Sequence, residues 1–157
     1  MSKNMYRSSV LNADEIRLFV EIGLMACGAG NTAAADSIFS GLRALRPNDP
    51  QCYIGLAMAR IESGNAQDAV ALLQSAAQLP FFNTVEYKVF IALSLIAAGC
   101  RNEAERLLRQ LITDLQSECP EYRLAKALLS QHGMDMHVIA QPLNFINAAA
   151  PDSYQKA

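Results

Sequence analysis

Three glycines recur along the chain at a nearly constant spacing. Gly30, Gly64 and Gly99 are 34 and then 35 residues apart. Each lies between two apolar-rich stretches of helical periodicity, and glycine accepts the left-handed backbone that commonly ends a helix. An alanine follows each glycine after five residues and a larger apolar residue follows after nine: Ala35, Ala69 and Ala104, then Phe39, Leu73 and Leu108. A repeat of this period constrains the chain to stacked helical hairpins, because one unit alone cannot bury its apolar face.

Helical periodicity predicts seven helices. They span roughly 13–28, 32–45, 49–63, 66–79, 83–98, 101–117 and 120–131. Asn12 followed by Glu15 predicts a capping box for the first helix. Asp49 and Asn83 are the predicted N-caps of the third and fifth helices.

The same pattern divides the chain into three parts. We expect an N-terminal extension over residues 1–12 and a three-repeat helical domain over 13–133, whose last helix caps the third repeat. A C-terminal tail over 134–157 follows, and its apolar centre predicts that it is partly docked.

Composition excludes several classes of protein. The chain has 13 basic and 15 acidic residues, so it does not have the basic excess that is typical of a nucleic-acid binder. The sequence contains no uninterrupted run of about 18 apolar residues, so no membrane span is predicted. No apolar stretch follows the N-terminal charges as it would in a secretory signal. The four cysteines include no CxxC pair, which favours reduced thiols in a cytoplasmic protein.

The sequence carries no pattern typical of catalysis. His132 and His137 are five residues apart with Gly133 between them, so they do not share a helical face as zinc ligands do. No nucleotide-binding or hydrolase motif is present. Cys100 and Cys119 lack a nearby base that would generate a thiolate. We therefore expect no enzyme activity, no catalytic residue, no metal site and no cofactor.

The glycine and alanine landmarks, with Phe19 and Tyr53 where a large aromatic residue is usual, resemble the tetratricopeptide repeat over about residues 16–116. Lys88 departs from the aromatic position in the third unit. The resemblance implies an all-α fold in which three helical hairpins form a short right-handed superhelix. A capping helix and the C-terminal tail would complete it.

In such repeats the first helix of each hairpin lines a concave face. Nine of the twelve inward positions are apolar here, and an exposed apolar stripe of that length indicates an interaction surface. The predicted partner-binding residues are Val20, Leu24, Ile54, Met58, Ile61, Val89, Leu93 and Ile96. An amphipathic partner helix fits such a groove. Self-association, or the chain's own tail around Leu143 and Phe145, could also cover it.

Size, repeat number and the apolar groove resemble the export chaperones of bacterial type III secretion. The early start of the first repeat is closer to the needle-subunit chaperones than to the translocator chaperones. The resemblance implies a cytoplasmic chaperone that masks an amphipathic helix of a small secreted subunit and takes part in virulence. A second chaperone or a homodimer remains open as a further partner. The alternative is a structural or assembly adaptor in a secretion or pilus apparatus.

Overall fold

The structure is a computed structural model that describes residues 11–79, 82–114 and 119–130. These ranges contain seven α-helices and no β-strand. The helices are α1 Ala13–Gly28, α2 Thr32–Leu45, α3 Pro50–Glu62, α4 Ala66–Ala76, α5 Val85–Ala97, α6 Arg101–Asp114 and α7 Pro120–Ser130. The predicted all-α class is confirmed, and the helices begin and end within about three residues of their predicted limits wherever the structure describes them.

The helices pack as three successive hairpins followed by α7. Each helix contacts the next one along the chain, and the odd-numbered helices α1, α3, α5 and α7 also contact each other in order. The odd helices therefore form a row, with α2, α4 and α6 packed behind it. One continuous hydrophobic cluster runs through all three hairpins and reaches α7. This is the helical-hairpin repeat that the sequence predicted.

The three recurring glycines end the first helix of each hairpin. Gly30, Gly64 and Gly99 have φ values of 72°, 81° and 80°, in the left-handed region that favours glycine. After α3, the Gly64 amide donates to the carbonyl of Ile61 at 3.0 Å, and the next amide donates to the carbonyl of Arg60 at 2.7 Å. This hydrogen-bonding pattern satisfies the last carbonyls of the helix and reverses the chain into the second helix.

Two of the three predicted caps are confirmed and one is wrong. The Asn12 side chain accepts from the Glu15 amide at 2.9 Å, and the Glu15 carboxylate accepts from the Asn12 amide at 2.8 Å. Asp49 caps α3 by accepting from the Gln51 amide at 3.0 Å. The N-cap of α5 is Thr84 instead of Asn83: its backbone is extended and its hydroxyl accepts from the amide three residues later at 3.2 Å.

Phe39 on α2 fixes how closely the first two hairpins approach. The side chain is fully buried between Gly23 on α1 and Gly55 on α3. A Cβ atom at Gly23 would lie 2.8 Å from the Phe39 ring, and one at Gly55 would lie closer still. The sequence did not indicate the close approach at Gly55. Both glycines are required because the ring fills the space of their missing side chains.

An aromatic cluster joins the second and third hairpins. The ring of Phe82, in the connection before α5, lies edge-on to Tyr53 on α3 and to Tyr87 on α5, with centroids 4.9 Å and 5.1 Å apart. The buried Tyr87 hydroxyl donates to the carbonyl of Leu73 on α4 at 3.1 Å. Burial, with a smaller contribution from Tyr53, raises the pKa of this phenol above its usual range. These contacts fix the positions of α3, α4 and α5 relative to one another.

Candidate functional site

The eight predicted partner-binding residues lie on the row of odd helices. Two are on α1, three on α3 and three on α5: Val20 and Leu24; Ile54, Met58 and Ile61; Val89, Leu93 and Ile96. Spacings of three and four residues place each set on one face of its helix. We refer to these eight residues as the inner row. The contacts between α1, α3 and α5 bring the three sets side by side.

The inner row is less open than the sequence predicted. Six of its members retain at most 7% of their surface in contact with solvent, and only Leu24 and Ile96 are half-buried. The six belong to the same hydrophobic cluster as the rest of the core. The expected exposed groove is therefore not seen at these six positions. Their apolar character nevertheless runs unbroken from α1 to α5.

Polar residues precede the inner-row residues near the N-terminal ends of α1, α3 and α5. Arg17 on α1 is exposed, and Gln51 on α3 and Glu86 on α5 are half-buried. Burial, and then the negative charge of Glu121 on α7, raises the pKa of Glu86 above its usual range. Two carboxyl groups from neighbouring odd helices thus lie at the α5–α7 end of the inner row. A cation placed there would relieve their mutual repulsion.

The cysteines of the core are poorly suited to nucleophilic chemistry. Burial, with a smaller effect of Glu62, raises the pKa of Cys27 to about 11. Burial and the charge of Asp49 raise the pKa of Cys52 to about 12. Both thiols are therefore protonated at neutral pH, whereas the thiolate is the reactive form. Cys100 and Cys119 are half-buried.

Within the part of the chain that the structure describes, no group of three His, Cys, Asp or Glu residues is placed to hold a metal ion. His132 and His137 lie outside the described residues, as does the tail over 134–157. Over the described ranges, no helix is both long enough and apolar enough to cross a membrane.

The sequence interpretation missed an exposed apolar surface on the first hairpin. Five large apolar side chains there remain 39–73% exposed: Leu18, Phe19, Ile22 and Met25 on α1, and Leu45 at the end of α2. We refer to these five as the outer flank. Phe19 and Leu45 also line a cleft of about 230 Å³ together with Leu11 and Ile38. The spacing of Leu18, Ile22 and Met25 by four and three residues was the available signal, since it marks a second apolar stripe on α1.

Comparison with known proteins supports the repeat interpretation. A family model described as Tetratricopeptide repeat matches residues 26–79. This range runs from the end of α1 through α4 and includes two of the three glycine turns. No curated protein matches the chain significantly. The family match and the hairpin row support a tetratricopeptide-repeat protein, a class that generally mediates protein–protein interaction and is generally non-enzymatic. They therefore support a protein-binding module.

Proposed function

We propose that this protein is a cytoplasmic secretion chaperone that holds an amphipathic helix of a small secreted subunit against the inner row. The observation that carries the proposal is the continuity of the row. Eight apolar positions follow one another across three helices of a repeat fold. An amphipathic helix would match them with its own apolar face.

The apolar character of the row favours an apolar partner, and the burial of six of its members restricts how that partner reaches them. A polar peptide would leave its own groups unpaired beside Ile54 and Met58, which costs free energy. Leu24 and Ile96 are the members that keep contact with solvent, so they are the first contacts available to an incoming helix. The six buried members are packed in the hydrophobic core, so a partner reaches them only if the helices around them move apart.

The carboxyl pair at one end of the row adds a charge requirement. Glu86 is in the first turn of α5, ahead of the inner-row residues of that helix, and it interacts electrostatically with Glu121 in the first turn of α7. A lysine or arginine on the partner helix would interact favourably with both groups and set the direction of the helix in the groove. We therefore expect the secreted subunit to carry a basic residue at one end of its apolar stripe.

Purification from the native host tests the proposal. The tagged full-length chain is isolated, and its bound proteins are identified and quantified by mass spectrometry. We expect a small secreted subunit at one-to-one stoichiometry. A large complex of fixed composition would instead support the assembly adaptor.

Substitutions at the half-buried positions then locate the contact. Leu24→Lys and Ile96→Lys introduce a charge without placing it at a fully buried position, and both should reduce binding of the subunit at least tenfold. Leu79→Lys is the matched control, because Leu79 is an exposed leucine outside the inner row. Unchanged binding by both inner-row variants would reject the assignment of the site.

A further inference from the structure

The outer flank is the largest concentration of exposed apolar side chains in the described part of the chain. Of the six large apolar residues that are substantially exposed there, five belong to it. Their exposures are 55% for Leu18, 39% for Phe19, 42% for Ile22, 73% for Met25 and 50% for Leu45. Patches of this kind on soluble proteins are often functional.

The repeat provides an internal comparison for three of these positions. Leu18, Ile22 and Met25 correspond to Cys52, Leu56 and Ala59 in the second unit and to Tyr87, Ile91 and Ser94 in the third. All six of the corresponding residues are buried. These three positions are therefore buried in the second and third units and exposed only in the first unit.

The difference follows from the order of the helices. In the later units, α2 packs against α3 and α4 packs against α5, so that an even-numbered helix precedes each odd one. None of the described residues forms a helix before α1. A helix with apolar residues around its whole circumference is normally buried on all sides. The outer flank therefore resembles the surface that α3 and α5 bury against the preceding helix, but no described helix covers it on α1.

The extent of the outer flank matches what a stable interface requires. Its exposed fractions correspond to on the order of 500 Å² of apolar surface, taking about 200 Å² for a large exposed side chain. A specific protein interface buries roughly 800 Å² per partner, of which about 60% is apolar. The flank supplies this apolar share without rearrangement of the helices.

The surface of this protein that best complements the outer flank is the outer flank of a second copy. An apolar surface requires an apolar partner, and elsewhere in the described ranges only Leu79 is a large apolar residue exposed to a similar degree. A head-to-tail contact would place the outer flank against the α7 end, which lacks such a surface over residues 119–130. A two-fold contact instead pairs the flank with the same flank of a second copy.

The charges beside the flank are compatible with a two-fold contact. Glu21 lies closest to its centre, and Arg17 pairs with it at 3.6 Å on the same helix. In an antiparallel pair of α1 helices centred near residues 21 and 22, the Asp14 residues of the two copies would be on the order of 20 Å apart, at 1.5 Å rise per residue. The two Glu21 carboxylates would lie near the axis, each paired with the Arg17 of its own helix, whereas the two Asp14 carboxylates stay apart.

We propose that the outer flank is a homodimer interface, in which α1 of one copy packs antiparallel against α1 of a second copy around a two-fold axis. Leu18, Ile22 and Met25 form its centre, and the clefts beside Phe19 and Leu45 form its edges. The surface is separate from the inner row, so a dimer of this kind leaves both inner rows outside the contact.

Light scattering after gel filtration and sedimentation velocity on the full-length chain test the proposal. We expect a dimer whose dissociation constant rises about 100-fold or more for the double variant Leu18→Glu, Met25→Glu, because each copy loses two central contacts. Both side chains are more than half exposed, so the fold should persist, and far-UV circular dichroism checks this. Leu79→Glu is the matched control and should leave the dissociation constant unchanged.

A second measurement addresses the orientation of the helices. Ile22→Cys places a thiol beside the proposed axis, and a short bis-maleimide should join two copies through it. A monomer at all concentrations would overturn the proposal, including the case in which residues 1–10 cover the flank. A dimer unaffected by the double variant, or one that Ile22→Cys does not cross-link, would also overturn it.

Discussion

Single residues set the spacing of the helices in this fold. Phe39 is an example, because its ring occupies the space that side chains at Gly23 and Gly55 would fill. The contact is local, but it positions α1 and α3 and hence the first two sets of the inner row. The sequence indicated Phe39 by its place in the repeat. It did not indicate Gly55, because a glycine inside a helix shows its reason only when the opposing side chain is known.

The glycine positions allow a direct comparison. Gly55→Ala should lower the free energy of unfolding by about 1–3 kcal/mol, since Phe39 must move to admit the methyl group. Gly41→Ala is the control within α2, where no neighbouring atom lies within 4 Å of an added Cβ. It should raise the free energy of unfolding by up to about 1 kcal/mol through helix propensity. Urea denaturation measures both, and equal effects would contradict the role of Phe39.

Glu86 predicts how stability depends on pH. Its pKa is raised in the folded chain by burial and by Glu121, so the native state holds the proton more tightly than the unfolded state. Stability should therefore fall as pH rises from about 4.5 through the native pKa of Glu86. Glu86→Gln removes this loss.

We therefore expect Glu86→Gln to raise the melting temperature at pH 7 and to change it less at pH 4. Asp49, whose pKa burial also raises, retains its own contribution in the variant. Thermal denaturation across this pH range checks the effect. A lower melting temperature at pH 7 would show that the ionised Glu86 is stabilising instead.

At the scale of elements, the ends of the helices depend on short-range chemistry that the sequence displays. The three glycine turns and the caps at Asn12 and Asp49 follow from residue types at fixed offsets, and the structure confirms them. The N-cap of α5 does not follow in this way, because Asn83 and Thr84 are adjacent and both can cap. Phe82 decides between them: its burial against Tyr53 and Tyr87 fixes where the chain enters α5.

The assignment of this cap has a simple test. Thr84→Ala removes the hydroxyl that accepts from the Tyr87 amide and should cost about 1 kcal/mol of stability. Asn83→Ala is the matched control, and it should change stability by less than about 0.5 kcal/mol. Chemical denaturation of the two variants compares them. The reverse order of effects would restore Asn83 as the cap.

At the scale of the whole molecule, the repeat period predicted the fold but not which surfaces it buries. The odd helices α3 and α5 carry apolar residues around their whole circumference, so periodicity does not distinguish a groove from a core. Most of the inner row proved buried, and the exposed apolar surface lies on α1. The reason is the position of α1 at the start of the row, where no described helix precedes it. Such end effects depend on neighbours and therefore on the assembled structure.

The central claim is that the inner row, and not another surface, receives the partner helix. Methyl-selective NMR of the full-length chain, titrated with the subunit that co-purifies from the host, tests it most directly. We predict that the largest shifts occur at the methyl groups of Ile54, Met58, Ile61 and Ile96, with little change at the outer flank. Shifts confined to Leu18, Ile22 and Met25 would contradict the claim and assign partner binding to the first helix.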